Sequence, residues 1–204
     1  MDDPASLTFF LLFADSSTVV ETPTVGWTLL SLSSVVILVL ANGFFVASEF
    51  ALVAVRKSRI EALAAEGDKA AIRLLGMLNN LNAYISATQL GITLSSLGLG
   101  WIGEPAVASL LEPFLLWVGT NTGATFLTSG PVLHGISFAV AFSLITFLHI
   151  VFGELAPKTA ALELSERVSY FVAVPLQIFY NIFNYPIRLL DWAGTRTVRL
   201  FGLH

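Results

Sequence analysis

The sequence predicts an all-α integral membrane protein with three transmembrane helices and additional juxtamembrane amphipathic helices. Of its 204 residues, 55% are hydrophobic and only 12% are charged, which is about half the charged share of a soluble domain. Apolar stretches lie at about 26–55, 84–102 and 134–160, and a helix needs roughly 20 apolar residues to cross a bilayer. Together these observations exclude a water-soluble globular protein.

The composition also excludes several classes of function. Because the chain has no cysteine, it forms no disulfide, thiolate metal site or cysteine nucleophile. A net charge of −4 argues against a nucleic-acid partner. No nucleophile and base occur at a suitable spacing, so we do not expect an enzyme.

The N-terminal half begins with a polar tail. Residues 1–25 contain acidic side chains and no basic one, whereas a signal peptide needs basic residues before its apolar core. We therefore predict an extracellular tail. The first span, 26–55, ends at the basic cluster 56–59, and the stretch 60–82 spaces its apolar residues among charges. That spacing is typical of an amphipathic helix at the membrane interface.

The C-terminal half contains the other two spans. Between 84–102 and 134–160 we predict an outer loop, 103–133, in which two Glu-Pro steps mark helix boundaries. The last apolar segment, 168–190, contains two prolines and several polar amides. We predict that it is interfacial or re-entrant, and a fourth span remains the alternative.

The basic residues predict the orientation. All ten lie between the first two spans or from the end of the third span onward. The positive-inside rule then places the N-terminus outside and the C-terminus in the cytoplasm. This arrangement requires that 168–190 does not cross the membrane.

Polar groups within the spans are the candidate functional residues, because an ionisable group in the bilayer is costly and marks function by default. Glu49 lies on the first span and Glu154 on the third. On the second span, Gln89, Thr93 and Ser96 follow i, i+4, i+7 spacing and share one face. We expect all five to lie in the cytoplasmic half of the membrane.

Two further side chains accompany Glu49 on the first span. Asn42 lies seven residues earlier on the same face, and Ser48 lies about 100° around the helix. Three helices thus bring carboxylate, amide and hydroxyl oxygens to a similar depth. Such oxygens suit hard cations such as Mg²⁺ or Na⁺, whereas Zn²⁺ prefers His or Cys.

A local break is expected in the third span. Pro157 has no N–H to donate to the Gly153 carbonyl four residues earlier. An unwound carbonyl next to a carboxylate, here Glu154, is how transporters build cation sites within the membrane.

Structural alternatives remain open for the same carboxylates. Glu49 is close enough in sequence to pair with Arg56 or Arg59 at the interface. Glu154 and Lys158 have the i, i+4 spacing of a helical ion pair.

The neutral polar groups have alternatives too. Gln89, Thr93 and Ser96 are residue types that pack between transmembrane helices. His149 is expected to be a packing residue rather than a ligand.

Three motifs resemble those of the CNNM/CorC magnesium transporter family, in its bacterial hemolysin-like branch. Residues 42–52, Asn-Gly-Phe-Phe-Val-Ala-Ser-Glu-Phe-Ala-Leu, resemble its first-helix signature. Residues 86–94, Ser-Ala-Thr-Gln-Leu-Gly-Ile-Thr-Leu, with Gly-Trp-Ile-Gly-Glu-Pro at 100–105, resemble its second helix. Residues 151–158, Val-Phe-Gly-Glu-Leu-Ala-Pro-Lys, resemble its third-helix motif. The resemblance covers about 26–200.

The resemblance implies a homodimeric domain in the plasma membrane that moves Mg²⁺ outward, coupled to Na⁺ uptake. It implies that a third-helix glycine carbonyl and glutamate, here Gly153 and Glu154, hold the dehydrated ion. The second-helix positions fall near Ile92, Thr93 and Ser96, where many relatives carry Asn.

The resemblance also implies a first-helix serine ligand. Ser48 fits one alignment, whereas another places Val46 there. The ligand set carried forward comprises Ser48, Gln89, Thr93, Ser96, Gly153 and Glu154, with Asn42 and Glu49 serving a coupling ion or the cavity.

Family members continue into a pair of ATP-binding regulatory domains. We expect residues 26–204 to be the transmembrane domain alone, without that pair. Two other functions remain open, a Na⁺ or proton antiporter and a non-transporting membrane anchor that dimerises cytosolic domains.

Overall fold

The computed structural model describes residues 25–200, and within that range every regular element is helical. The predicted extracellular tail lies outside the described residues, apart from Val25. We number the α-helices in chain order as α1 (Val25–Ala54), α2 (Lys57–Ala65), α3 (Lys69–Asn79), α4 (Leu81–Gly98), α5 (Glu104–Thr122), α6 (Gly130–Leu148), α7 (Ala156–Glu163), α8 (Ser165–Ile182) and α9 (Asn184–Leu200). Two π-helical turns, Leu99–Gly103 and His149–Leu155, and a 3₁₀ turn, Thr125–Thr128, complete the chain.

Three helical stretches of the described chain are long and apolar enough to cross a membrane. They are Thr28–Ala54, Leu81–Thr122 and Gly130–Glu163. Many of their large apolar side chains, such as Ile37, are exposed, as a lipid-facing surface requires. The predicted all-α membrane fold with three spans is therefore confirmed.

The predicted outer loop, 103–133, is wrong for most of its length, because α5 occupies Glu104–Thr122. Pro105 directly follows the π-helical turn Leu99–Gly103 inside the continuous helical stretch Leu81–Thr122, so the first Glu-Pro step does not end the helix. Pro113 lies inside the helix, so the second Glu-Pro step does not end it either. The chain turns only at Gly123, whose φ of 73° is the left-handed conformation that favours glycine.

The predicted amphipathic helix over 60–82 is divided into α2 and α3. Gly67 has a φ of 93° and makes the turn between them. The Asp68 side chain then accepts hydrogen bonds from the backbone N–H groups of Ala70 and Ala71, which caps α3. Leu74 and other apolar residues of α3 are buried on one side, so the amphipathic pattern holds within the shorter helix.

The segment 168–190 forms most of α8 and the start of α9. Neither helix is among the three described stretches with the length and apolarity of a span. Pro175 lies inside α8, and Leu176 and Ile187 are completely buried. These helices pack with the end of α1 and with α2 and α3, where their buried side chains join one apolar cluster.

Helix α1 is the central element of the fold. Two apolar clusters pack along it, one around Val35 and Val39 and the other from Phe45 to Val55. Asn42 lies between them and is completely buried. The packing around α1 therefore leaves one polar layer between two apolar ones.

Glycine allows the helices to approach closely at this layer. A Cβ atom on Gly43 would lie 2.9 Å from the Phe152 carbonyl oxygen and 2.9 Å from Pro157 Cγ. Both distances are shorter than a van der Waals contact, so only glycine fits without a shift of the third span.

We predict that Gly43→Ala destabilises the fold by about 1–3 kcal/mol, because the added methyl group must push two helices apart. Thermal unfolding in detergent, monitored by circular dichroism, measures this effect. Gly135→Ala is the matched control, since a Cβ at Gly135 meets nothing within 4 Å. Equal melting temperatures for the two variants would contradict the close approach.

Candidate functional site

Asn42 connects all three spans through its side-chain amide. Its Nδ2 donates a hydrogen bond of 2.9 Å to the Gly153 carbonyl oxygen on the third span. Its Oδ1 accepts one of 3.1 Å from the Ser96 hydroxyl on the second span. A buried amide needs such partners, because leaving it unpaired costs about 1–3 kcal/mol. The amide therefore fixes the relative position of the three helices.

The third span adopts a π-helical turn at this point rather than the unwound segment expected from the sequence. The turn covers His149–Leu155 and includes Gly153. Pro157 has no N–H to offer the Gly153 carbonyl, and the Asn42 amide binds that carbonyl instead. A Cβ on Gly153 would lie 2.8 Å from His149 Cδ2 and 3.1 Å from Asn42 Nδ2, so a larger residue here would displace one or both of these side chains.

His149 and Glu154 extend the same network. His149 Nε2 lies 3.3 Å from the Ser96 hydroxyl oxygen and 3.9 Å from Glu154 Oε1. The Glu154 side chain is 51% exposed, so the described chain does not enclose its carboxylate. We call these five residues, Asn42, Ser96, His149, Gly153 and Glu154, the Asn42 layer.

A second polar cluster surrounds Glu49. Gln89 Nε2 donates to both carboxylate oxygens of Glu49, at 3.0 and 2.9 Å. The Thr88 hydroxyl donates to Oε2 at 3.3 Å. We call these three residues the Glu49 layer. It lies seven residues beyond Asn42 on α1, which is about 10 Å along a helix, toward the end that carries the basic cluster.

The structure separates the predicted ligands into two depths. Ser96, Gly153 and Glu154 lie in the Asn42 layer, and Gln89 lies in the Glu49 layer. Asn42 is near the middle of the first span, Thr28–Ala54, and Glu49 is nearer its C-terminal end.

Ser48 and Thr93 bond within their own helices. The Ser48 hydroxyl is buried and donates to the Phe44 carbonyl at 2.7 Å. The Thr93 hydroxyl donates to the Gln89 carbonyl at 2.8 Å and is exposed. In this conformation neither side chain contacts the Gly153 carbonyl.

The ion pairs considered as alternatives, Glu49 with Arg56 or Arg59 and Glu154 with Lys158, are not observed among the described residues. Arg59 binds Glu166, with 2.9 Å between Nε and Oε2, rather than Glu49. Lys158 places its ammonium 4.6 Å from the centre of the Phe50 ring, rather than beside Glu154. Among the described residues, both carboxylates therefore keep neutral or His partners.

The oxygens of the Asn42 layer suit a hard cation. Its acceptors are the Gly153 carbonyl, the Asn42 amide oxygen, the Ser96 hydroxyl and the Glu154 carboxylate. Mg²⁺ binds six oxygens at 2.0–2.1 Å and keeps several waters, so neighbouring ligand oxygens stand about 2.9 Å apart. The Asn42 and Ser96 oxygens are 3.1 Å apart because the Ser96 hydroxyl donates a hydrogen bond to the Asn42 amide oxygen.

The layer relies on neutral oxygens more than on charge. Within residues 25–200, no three His, Asp or Glu side chains group together as a metal site. Glu154 is the single carboxylate of the Asn42 layer as the described residues form it.

Thr88 was not singled out from the sequence, and His149 was expected to be a packing residue rather than a ligand. Thr88 is next to Gln89 in the sequence, but it does not belong to the helix face formed by Gln89, Thr93 and Ser96, on which Gln89 was identified. His149 precedes Glu154 by five residues, which in an α-helix puts the side chains about 140° apart. The i to i+5 bonding of a π-turn brings them together, and Gly153 with Pro157 was the available signal.

We predict that Asn42→Ala destabilises the protein by about 1–3 kcal/mol, because the Gly153 carbonyl and Ser96 hydroxyl lose a buried partner. Thermal unfolding in detergent measures the loss. Asn181→Ala is the control, since Asn181 is an exposed amide on α8. An Asn42→Ala variant that melts with the wild type would contradict the linking role of Asn42.

The sequence of this chain matches a known membrane-domain family. The family described as CNNM, cyclin M transmembrane N-terminal domain, matches residues 34–204. Among similar proteins of Bacillus subtilis (strain 168), the UPF0053 protein YhdT is 45% identical over 173 residues, which are 85% of this chain and 36% of that protein. The UPF0053 protein YhdP is 46% identical over 175 residues, 86% of this chain and 38% of that protein.

A more distant relative has the same coverage. The uncharacterized protein Rv1841c of Mycobacterium tuberculosis (strain ATCC 25618 / H37Rv) is 34% identical over 170 residues, 82% of this chain and 45% of that protein. This chain therefore spans less than half the length of these relatives. The family match covers both polar layers and all three spans except the first residues of α1. The chain belongs to the CNNM transmembrane-domain family.

Proposed function

We propose that this chain is the transmembrane domain of a Mg²⁺ exporter that binds the ion at the Asn42 layer. The observation that carries the proposal is the Gly153 carbonyl, which lacks its α-helical donor because residue 157 is proline and which directly precedes Glu154 in the chain. The Asn42 amide covers this carbonyl at 2.9 Å. An ion at this position would displace the amide nitrogen and gain carbonyl, hydroxyl and carboxylate oxygens.

Glu154 supplies the charge in this account. A divalent cation in a low-dielectric environment needs at least one close carboxylate, because its interaction with neutral oxygens alone does not replace water. The half-exposed Glu154 side chain is free to approach an ion, whereas Glu49 already accepts two hydrogen bonds from Gln89.

The Glu49 layer is the proposed place for a coupling Na⁺. It lies nearer the end of α1 that the basic residues assign to the cytoplasm. Two carboxylate layers about 10 Å apart provide separate positions for the outgoing and the incoming ion. The proposed setting is the plasma membrane, in a homodimer whose longer relatives would add ATP-binding regulatory domains.

Two other functions remain as rivals. A Na⁺ or proton antiporter would use Glu49 and Glu154 as a relay, and the His149–Glu154 distance of 3.9 Å favours this rival over a passive role. A membrane anchor would need neither carboxylate for anything except stability.

We predict that Glu154→Gln weakens Mg²⁺ binding more than about tenfold, since the charge of the closest anion is lost while the shape is kept. Isothermal titration calorimetry on the detergent-purified chain measures the affinity. Glu163→Gln is the control, because it removes the same charge from an exposed position at the end of α7.

Binding that survives in the Glu154→Gln variant with unchanged affinity would remove Glu154 from the ion site. If the wild type itself gave no Mg²⁺ heat, flux driven by a Na⁺ or pH gradient in liposomes would identify an antiporter. An anchor would show neither Mg²⁺ heat nor flux.

A further inference from the structure

Helix α9 has an exposed face that combines arginine and aromatic side chains. Arg188, Trp192 and Arg199 recur at i, i+4 and i+11, so they lie on one side of the helix. Trp192 is 62% exposed and Tyr185 is 87% exposed. Ile187, by contrast, is completely buried against the rest of the protein. The helix is therefore anchored by one face and presents the other.

The arginines of α9 surround a shallow hollow of about 310 Å³. Arg188, Arg196 and Arg199 contribute to it, together with Trp192 and one carboxylate, Asp191. None of the three arginines makes an ion pair with a residue of the described chain. Three guanidinium groups against one carboxylate leave a net positive charge that lacks a partner.

An apolar groove of about 580 Å³ adjoins the hollow, and the two share Asp191, Thr195 and Arg199. The groove runs between α9 and the first turns of α4, where Ile85 and Leu190 line it. Since α4 begins the second span at Leu81, this groove opens at the edge of the membrane.

We propose that the hollow and the groove together bind an anionic phospholipid of the cytoplasmic leaflet. An amphiphile is the one kind of ligand that needs both parts, because the apolar groove would hold an acyl chain while the arginines hold the phosphate. Guanidinium groups bind phosphate oxygens with two parallel hydrogen bonds. A soluble phosphate would leave the apolar groove unused.

The location matches this ligand. The distribution of basic residues assigns α9 to the cytoplasmic side, where the membrane surface carries anionic lipids. Exposed Trp and Tyr side chains are typical of the membrane interface, and both occur on the arginine face. The exposed Leu189 adds apolar surface next to Tyr185 for contact with lipid.

Trp192 provides a direct probe of the site. The other tryptophans, Trp27, Trp101 and Trp117, are replaced by Phe so that Trp192 alone fluoresces. The chain is then placed in nanodiscs with brominated phosphatidylglycerol or, at the same mole fraction, brominated phosphatidylcholine. We expect stronger quenching by the anionic lipid. Equal quenching by the two lipids would overturn the proposal.

Charge variants test the role of the arginines. In R188Q/R196Q/R199Q we expect the preference for phosphatidylglycerol to disappear, and in Arg199→Gln alone we expect about a fivefold weaker affinity. R56Q/K69Q/R73Q is the matched control, because it removes the same charge from exposed positions on and beside α2 and α3. A control that loses the preference as fully as the α9 variant would overturn a specific site.

Two checks keep the outcome clear. If the triple variant fails to fold, Arg199→Lys replaces it as the test. This variant retains the positive charge, and we expect it to retain most of the lipid preference. Excess inorganic phosphate should not relieve quenching by brominated phosphatidylglycerol. Relief by phosphate would identify a site for a free anion instead and would overturn the lipid assignment.

Discussion

The hydrogen bond from the Asn42 amide to the Gly153 carbonyl is the interaction on which the rest of the membrane domain depends. It joins the first and third spans at a completely buried position. The amide oxygen of Asn42 joins the second span by accepting a hydrogen bond from Ser96. It forms because Pro157 leaves that carbonyl without its α-helical donor. Gly43 allows the helices to approach, since even one methyl group there would overlap the third span.

The same bond explains how a mainly apolar domain can present oxygens to an ion. Asn42 is completely buried between two apolar clusters and is held in place by packing, whereas the Glu154 side chain of the same layer is half-exposed. The Glu49 layer, two helical turns away, binds its carboxylate tightly to Gln89. One carboxylate is thus occupied and the other is available. This difference separates the proposed roles of Glu49 and Glu154.

The sequence alone was sufficient for the three spans and for most of the polar groups, because composition and hydrophobic run length respond directly to the bilayer. Prediction from the sequence was wrong where one local sequence signal is compatible with two different structures. Pro105 and Pro113 suggested helix ends, yet proline is also tolerated within a long membrane helix. The pairing of His149 with Glu154 required a π-turn, and the role of Asn42 required the positions of three helices. The ligand set inferred from the family resemblance remains a prediction.

Locating a bound ion tests the central claim most directly. Mn²⁺ accepts the same octahedral oxygen ligands as Mg²⁺, and its anomalous scattering would mark its position in crystals of the chain. We predict a peak in contact with the Gly153 carbonyl and the Glu154 carboxylate, with the Asn42 amide nitrogen moved off that carbonyl. A peak only at Glu49 and Gln89, or an intact Asn42–Gly153 hydrogen bond with no peak at saturating Mn²⁺, would contradict it.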